Sequence, residues 1–256
     1  MTTNNDALQL TTGFPTPPSD IHFDNTAYNF QGGKIGSYAS IWAQYTKCSW
    51  IRATLAGHVL EFRELPSLRA ARPLRLARRD QRALDVALDE YERCHVIEEV
   101  LDDGGESYVS TVFPVLKRDG VSARVILNLK PLNPYIVYSH FKMDNLYSVL
   151  PMISQGCWFA SLDLMNAYLT VPVRMEDRKW LRFLWKDKLY QYTCMPQGLT
   201  SAPRIFTRLL KPIMAHLRSV GITAIIYIDD VLLLAPSREE LAGHVDYLVG
   251  CLTALG

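Results

Sequence analysis

Residues 224–235 read AIIYIDDVLLLA. Ten of these twelve residues suit a protein core, yet the centre carries two adjacent carboxylates, Asp229 and Asp230. An unpaired buried charge costs several kcal/mol or more, so something must neutralise the pair. The flanking apolar runs have strand length, and Asp is a frequent turn residue, so the stretch reads as strand, turn, strand with the carboxylates at the tip. Taken alone, an ordinary solvated turn would account for it. A second aspartate in a like setting alters that reading. Asp163 closes the strand-like run WFASLDL (158–164) with no neighbouring Lys or Arg. Three carboxylates at strand ends are therefore expected to converge on one point.

Like charges gathered so closely raise one another's pKa and strain the fold unless divalent cations sit among them. Oxygen ligands without His or Cys select hard ions, so Mg2+ is expected, two ions in all, with Mn2+ as a possible substitute. Two ions about 3.5 to 4 Å apart stabilise both the attacking and the leaving oxygen of an in-line displacement at phosphorus. The implied chemistry is nucleotidyl transfer.

Outward from this stretch, the pattern alternates short β-rich runs with amphipathic helices. Arg79 to Arg93 places Ala83, Leu84, Ala87, Leu88 and Tyr91 on one helical face, and Gly104-Gly105 breaks the pattern beyond it. Two β-rich runs between Tyr108 and Asn133 join through Arg118-Asp119-Gly120, an Asp-Gly turn signal. Asp144 is expected to cap a short helix to Leu150, and a strand pair is expected over 180–192 around Lys186-Asp187-Lys188. Thr200 or Ser201 should cap a helix with Pro203 in its first turn, a buried stripe of Ile205, Phe206, Leu209, Leu210, Ile213 and Leu217, and a kink at Pro212. A last helix is expected over 238–255. No internal repeat is present, and mixed helices with antiparallel hairpins predict an α+β fold.

With 256 residues, 48% of them hydrophobic, the chain can bury one large core or two modest ones. The formal net charge is +1, so any basic footprint must be local. One candidate exists: seven arginines (63, 69, 72, 75, 78, 79 and 82) stand against Glu64 and Asp80, either as a solvated face or as a surface that tracks phosphates. The five cysteines include no C-x-x-C pair, and the adjacent Cys94-His95 lacks ligand spacing, so zinc ribbons and dithiol redox sites are disfavoured. Without a signal peptide or an apolar run of about 20 residues, no membrane association is expected. An intracellular setting, cytoplasm or nucleus rather than secreted, is the expectation. Residues 1–32, rich in Thr, Asn and Pro, are expected to form a disordered leader.

Tyr227-Ile228-Asp229-Asp230 resembles the Y-x-D-D box of reverse transcriptases, and LDLMNAYLTVPV (162–173) resembles the strand bearing their first metal-binding aspartate. Tyr190-Gln191-Tyr192, then Met195-Pro196-Gln197-Gly198, then Ser201-Ala202-Pro203-Arg204-Ile205-Phe206 is similar to that family's Y-x-Y, L-P-Q-G and S-P-x-x-F run. A lone Y-x-D-D is weak; four boxes in order, with ordinary spacing, are specific. The wording RVILNLKPLN, HFKMDNL and LKPIMAHLRSVGI is closest to DIRS-type retrotransposons, and the resemblance covers about residues 33–256.

The resemblance implies an RNA-directed DNA polymerase of right-hand architecture, with an antiparallel palm sheet backed by helices. Residues 33–143 would form an N-terminal segment and fingers, and 144–256 a palm that stops before the primer grip, with the thumb absent. It assigns metal binding to Asp163, Asp229, Asp230 and the Leu164 carbonyl, and catalysis to the three aspartates. Lys117 and Arg124 would meet the incoming triphosphate, Tyr168 would be a steric gate against a 2'-hydroxyl, and Gln197 would contact the nucleotide. Expected partners are an RNA or DNA template with primer, dNTPs, and the thumb and ribonuclease H portion of a polyprotein. Asn128 and Lys130 depart from the Asp and Arg of many relatives, which puts a fingers salt bridge in doubt. Two alternatives stay open: a truncated, non-catalytic remnant that binds nucleic acid or protein, and an RNA-directed RNA polymerase, which Tyr168 disfavours.

Overall fold

The computed structural model describes residues 30–71, 74–101, 104–143 and 146–256. Nearly all of the expected leader, as well as Arg72 and the Asp144 cap, lies outside them. In chain order the elements are α1 (Ala39–Tyr45), α2 (Ser49–Ala56), α3 (Arg78–Arg93), β1 (Ile97–Glu99), β2 (Val109–Ser110), β3 (Val112–Leu116), β4 (Ala123–Leu127), α4 (Leu146–Val149), β5 (Trp158–Asp163), β6 (Arg182–Trp185), β7 (Lys188–Tyr192), α5 (Ala202–Ser219), β8 (Thr223–Tyr227), β9 (Asp230–Ala235) and α6 (Arg238–Ala254). Helix and sheet are mixed throughout. No helix among the described residues is long and apolar enough to cross a membrane.

Residues 223–235 form β8, a two-residue turn and β9. Together with β5 these strands make an antiparallel sheet in the order β5-β9-β8. Period-2 alternation gives the sheet two unlike faces. Ala160, Leu162, Ala224, Ile226, Val231 and Leu233 join the main core, against which α5 and α6 bury Ile205, Leu209, Ile213, Leu217, Leu241, Val245 and Leu248. Each such side chain contributes about 1.5–3 kcal/mol. The opposite face carries a smaller cluster of Ile225 and Leu234 with Phe159, Leu232 and Val149, and the acidic residues stand at its end.

The β3–β4 hairpin pairs Val112 with Leu127 through Leu116 with Ala123. Its loop holds a backbone bond from Gly120 N–H to the Lys117 carbonyl at 2.9 Å, and Asp119 accepts from the Val121 and Ser122 amides at 2.9 and 3.0 Å. The expected Asp-Gly turn is thus present. The run expected to begin at Tyr108 is divided, however: Thr111 separates β2, which pairs parallel with β6, from β3. A parallel partner more than 70 residues away leaves no local trace in the sequence.

The α5 stripe is buried as expected. Its hydroxyl cap is not formed: Ser201 stands at the N-cap with φ −84° and ψ −14° and no side-chain bond. An N-cap hydroxyl reaches the N2 or N3 amide from extended backbone, whereas Ser201 is already helical. The helix also continues through Pro212; the carbonyl that loses its donor belongs to exposed Arg208, where water can serve it.

Candidate active site

Asp163 is the last residue of β5 and lies directly opposite Asp230, the first of β9; Tyr227 flanks Asp230 on its other side. Asp229 occupies the turn between β8 and β9, and its carbonyl accepts the Leu164 N–H at 2.9 Å, which ties the turn to the end of β5. Antiparallel register therefore brings two carboxylates to one sheet edge and one backbone bond holds the third beside them. Ile228, preceding Asp229, has φ 60°. For a β-branched residue that left-handed conformation is an outlier of the kind that clusters at functional sites.

The electrostatics follow from this packing. Burial raises the Asp163 carboxyl above its ordinary value, Asp229 and Asp230 raise it further, and Arg124 opposes them. Burial likewise raises Asp230, with Asp229 adding to it. Among the described residues, none of the three aspartates forms an ion pair. Nor is any group of three or more His, Cys, Asp or Glu residues among them already gathered for a metal ion. Adjacent positions thus stop short of a closed ligand cage. The donor chemistry still fits a hard cation: all-oxygen, unpaired, and repelled by its own members.

Lys117 and Arg124 lie on one face of the β3–β4 hairpin, since Val115 pairs with Arg124 and the side chains alternate. The other face, with Val112, Val125 and Leu127, is buried, and α3 packs against the hairpin. From this hairpin the charge of Arg124 acts on Asp163, opposing the rise caused by burial and the neighbouring carboxylates. Asn128 Oδ1 accepts the Lys130 N–H at 3.3 Å, a local turn in the place where an ion pair was in doubt.

Tyr168 lies in a 3-10 turn, Ala167–Thr170. Its ring meets Phe206 of α5 edge-on at 5.8 Å, and burial, with Asp229 second, pushes its phenol up to about 12. Gln197 is exposed in the loop before α5; Pro196 is buried and Gly198 has φ 96°, a conformation that favours glycine.

Sequence reasoning did not identify the residue that holds this loop. Asn133 Nδ2 donates to the Gly198 carbonyl at 2.9 Å, and the Thr200 N–H donates to Asn133 Oδ1 at 2.9 Å. One amide, in the 3-10 turn Asn133–Tyr135 that follows β4, grips the loop just after Gln197, at Gly198 and Thr200. Asn133-Pro134 is a turn signal in the sequence, but nothing there indicates its distant partner.

The sequence model of the family described as reverse transcriptase (RNA-dependent DNA polymerase) matches residues 117–256, more than half of the chain. Among curated proteins, the Transposon Tf2-3 polyprotein of Schizosaccharomyces pombe is 29% identical over 143 residues, 55% of this chain and 10% of that protein. The Pro-Pol polyprotein of feline foamy virus is 28% identical over 166 residues, 63% of this chain and 14% of its own length. The retrovirus-related Pol polyprotein from transposon gypsy of Drosophila melanogaster is 24% identical over 129 residues, 50% of this chain and 12% of its own. The chain thus spans between 10% and 14% of the length of these relatives.

Proposed function

The chain belongs to the reverse transcriptase family, and we propose that it is the RNA-directed DNA polymerase core of a retroelement, joining deoxynucleotides to a primer 3'-hydroxyl. The observation that carries this reading is the Asp163–Asp230 register pair beside the Asp229 turn. Asp163, Asp229 and Asp230, with the Leu164 carbonyl, would hold two Mg2+ ions or Mn2+, which when bound supply charge stabilisation for the attacking and leaving oxygens. The chain's own residues do the rest. Lys117 and Arg124 present cations on one hairpin face to the triphosphate. Tyr168, braced edge-on by Phe206, sets its ring under the sugar and excludes a 2'-hydroxyl. Its phenol remains neutral across the working range. Gln197 contacts the nucleotide from a loop held by Asn133.

On this reading residues 33–143 serve as N-terminal segment and fingers and 144–256 as palm, in an intracellular element closest to the DIRS type. Template and primer are held by backbone and shape while base pairing reads the sequence, and thumb and ribonuclease H functions come from a longer polyprotein. The runner-up, a non-catalytic remnant, draws on the three aspartates not forming a ready ligand group.

Primer extension on poly(rA) with Mg2+ tests the proposal, comparing this chain, Asp229→Asn and a longer chain. Extension lost in Asp229→Asn supports it. Equal extension by Asp229→Asn refutes the assigned site, and no extension by this chain alongside extension by the longer one favours the remnant.

A further inference from the structure

The charges of α3 run against its helix dipole. The positive end of a helix favours acids and the negative end favours bases, yet α3 begins with Arg78, Arg79 and Arg82 and ends with Asp89, Glu90 and Glu92 before its one late cation, Arg93. Asp80 is the sole acid of its first turn. Arg78 and Arg82 stand four residues apart, where like charges repel. Arg75, in the lead-in, is exposed together with Arg78, Arg79 and Arg82, and among the described residues none of the four forms an ion pair. At this end of α3 the cations oppose the helix dipole in place of complementing it.

Position adds a second argument. Arg79 Nη2 donates to the Gly120 carbonyl at 2.6 Å, fixing the start of α3 to the tip of the β3–β4 hairpin beside Arg118. α3 packs against the hairpin, whose buried face is opposite the one bearing Lys117 and Arg124. We propose that Arg75, Arg78 and Arg82, with Arg79 as their tether to the hairpin, form a second nucleic-acid surface that holds the phosphodiester backbone of a single strand outside the catalytic cleft. Exposed aromatic residues are absent between positions 74 and 90, so the surface lacks stacking platforms and reads charge in place of base identity. This inference takes nucleic acid as the polyanion from the function proposed above, and uses none of the catalytic assignments.

Binding of fluorescein-labelled single-stranded RNA and DNA of about 30 nucleotides, long enough for several site sizes, is followed by anisotropy across a salt series. No primer or dNTP is present, so a failure of polymerase activity leaves the readout intact. Each phosphate contact on a single strand contributes about 0.7 to the slope of log K against log salt; R75Q/R78Q/R82Q should therefore lose about 2 from that slope. R75K/R78K/R82K should keep it, and R82Q alone should lose about a third as much. The control K179Q/K186Q/K188Q removes three cations that already have acidic partners and should change the slope little. Equal weakening of RNA and DNA supports a backbone surface. An unchanged slope in R75Q/R78Q/R82Q, an equal loss in the lysine control, or binding only to phosphatidylserine-containing vesicles overturns the proposal.

Discussion

Asp163 and Asp230 carry pKa values raised above the ordinary 3.8 by burial and by acidic neighbours. The folded state therefore holds these protons more tightly than the unfolded chain does. Between the ordinary value and the raised ones, the native state binds more protons, so stability falls as pH rises through that window. Above it, both groups are charged in both states and the full destabilisation is present; below 3.8 it disappears. Asp230→Asn should accordingly raise the melting temperature at neutral pH in EDTA, and Mg2+ should raise the wild-type melting temperature more than the variant's. Thermal unfolding monitored by circular dichroism measures both; a lower melting temperature for Asp230→Asn in EDTA would contradict the electrostatic account. The spacing of Tyr227, Asp229 and Asp230 was legible because two carboxylates amid apolar residues are anomalous. The left-handed turn at Ile228 was not, because β-branched residues are the last that local preference would place at φ 60°.

Loops and caps position what these residues act on. Asn133 joins the turn after β4 to the Gln197 loop by two hydrogen bonds, so Asn133→Ala should free that loop while leaving the three aspartates in register. We expect a raised KM for dNTP with a smaller change in kcat, and a stability loss of about 1–3 kcal/mol for the two bonds. Steady-state primer extension separates the two kinetic effects, and an unchanged KM would show that the clamp does not reach the nucleotide. Asn133→Asp keeps the acceptor for Thr200 and loses the donor to Gly198, so an intermediate value is expected. The start of α6 behaves differently. Ser237 is extended, at φ −132°, and its Oγ accepts the Glu240 N–H at 3.2 Å, in the Ser-x-x-Glu spacing of a capping box. Ser237→Ala should cost about 1 kcal/mol, whereas Ser201→Ala at the uncapped α5 should cost less than half of that; urea titrations of the two variants make the comparison. Hairpins and amphipathic helices were readable here because period and turn chemistry are local. The β2–β6 pairing and the Asn133 clamp join residues too far apart in sequence for such signals.

The ends of the described chain meet behind the proposed site. Trp42 of α1 is 2% exposed, and its indole N–H donates to the Leu255 carbonyl at 3.0 Å across 213 residues. Tyr45 donates to Cys251 Sγ at 3.7 Å, and this bond together with burial pushes its phenol up to about 12. An apolar cavity of about 40 Å³ lies at this junction, lined by Ile35, Trp42, Leu164, Phe206, Leu252 and Leu255 among others. Leu164 thus connects the junction to Asp163, its neighbour in sequence. A contact across 213 residues is decided by the assembled core and has no local signature. Truncating Trp42 would enlarge this space, and the cost of a core deletion grows with the cavity that remains. Trp42→Ala should therefore fall at the costly end for a buried aromatic, about 3–5 kcal/mol, a large share of the roughly 5–15 kcal/mol that holds a domain folded. Trp42→Phe retains most of the apolar contact and leaves the Leu255 carbonyl without its donor, for about 1–3 kcal/mol. Denaturant midpoints should fall in the order wild type, Trp42→Phe, Trp42→Ala with unchanged m-values, since cooperative unfolding of one core changes its stability without changing the surface exposed. A lowered m-value in Trp42→Ala would instead mean that residues 30–56 detach first, and that the core around Asp163 folds without them.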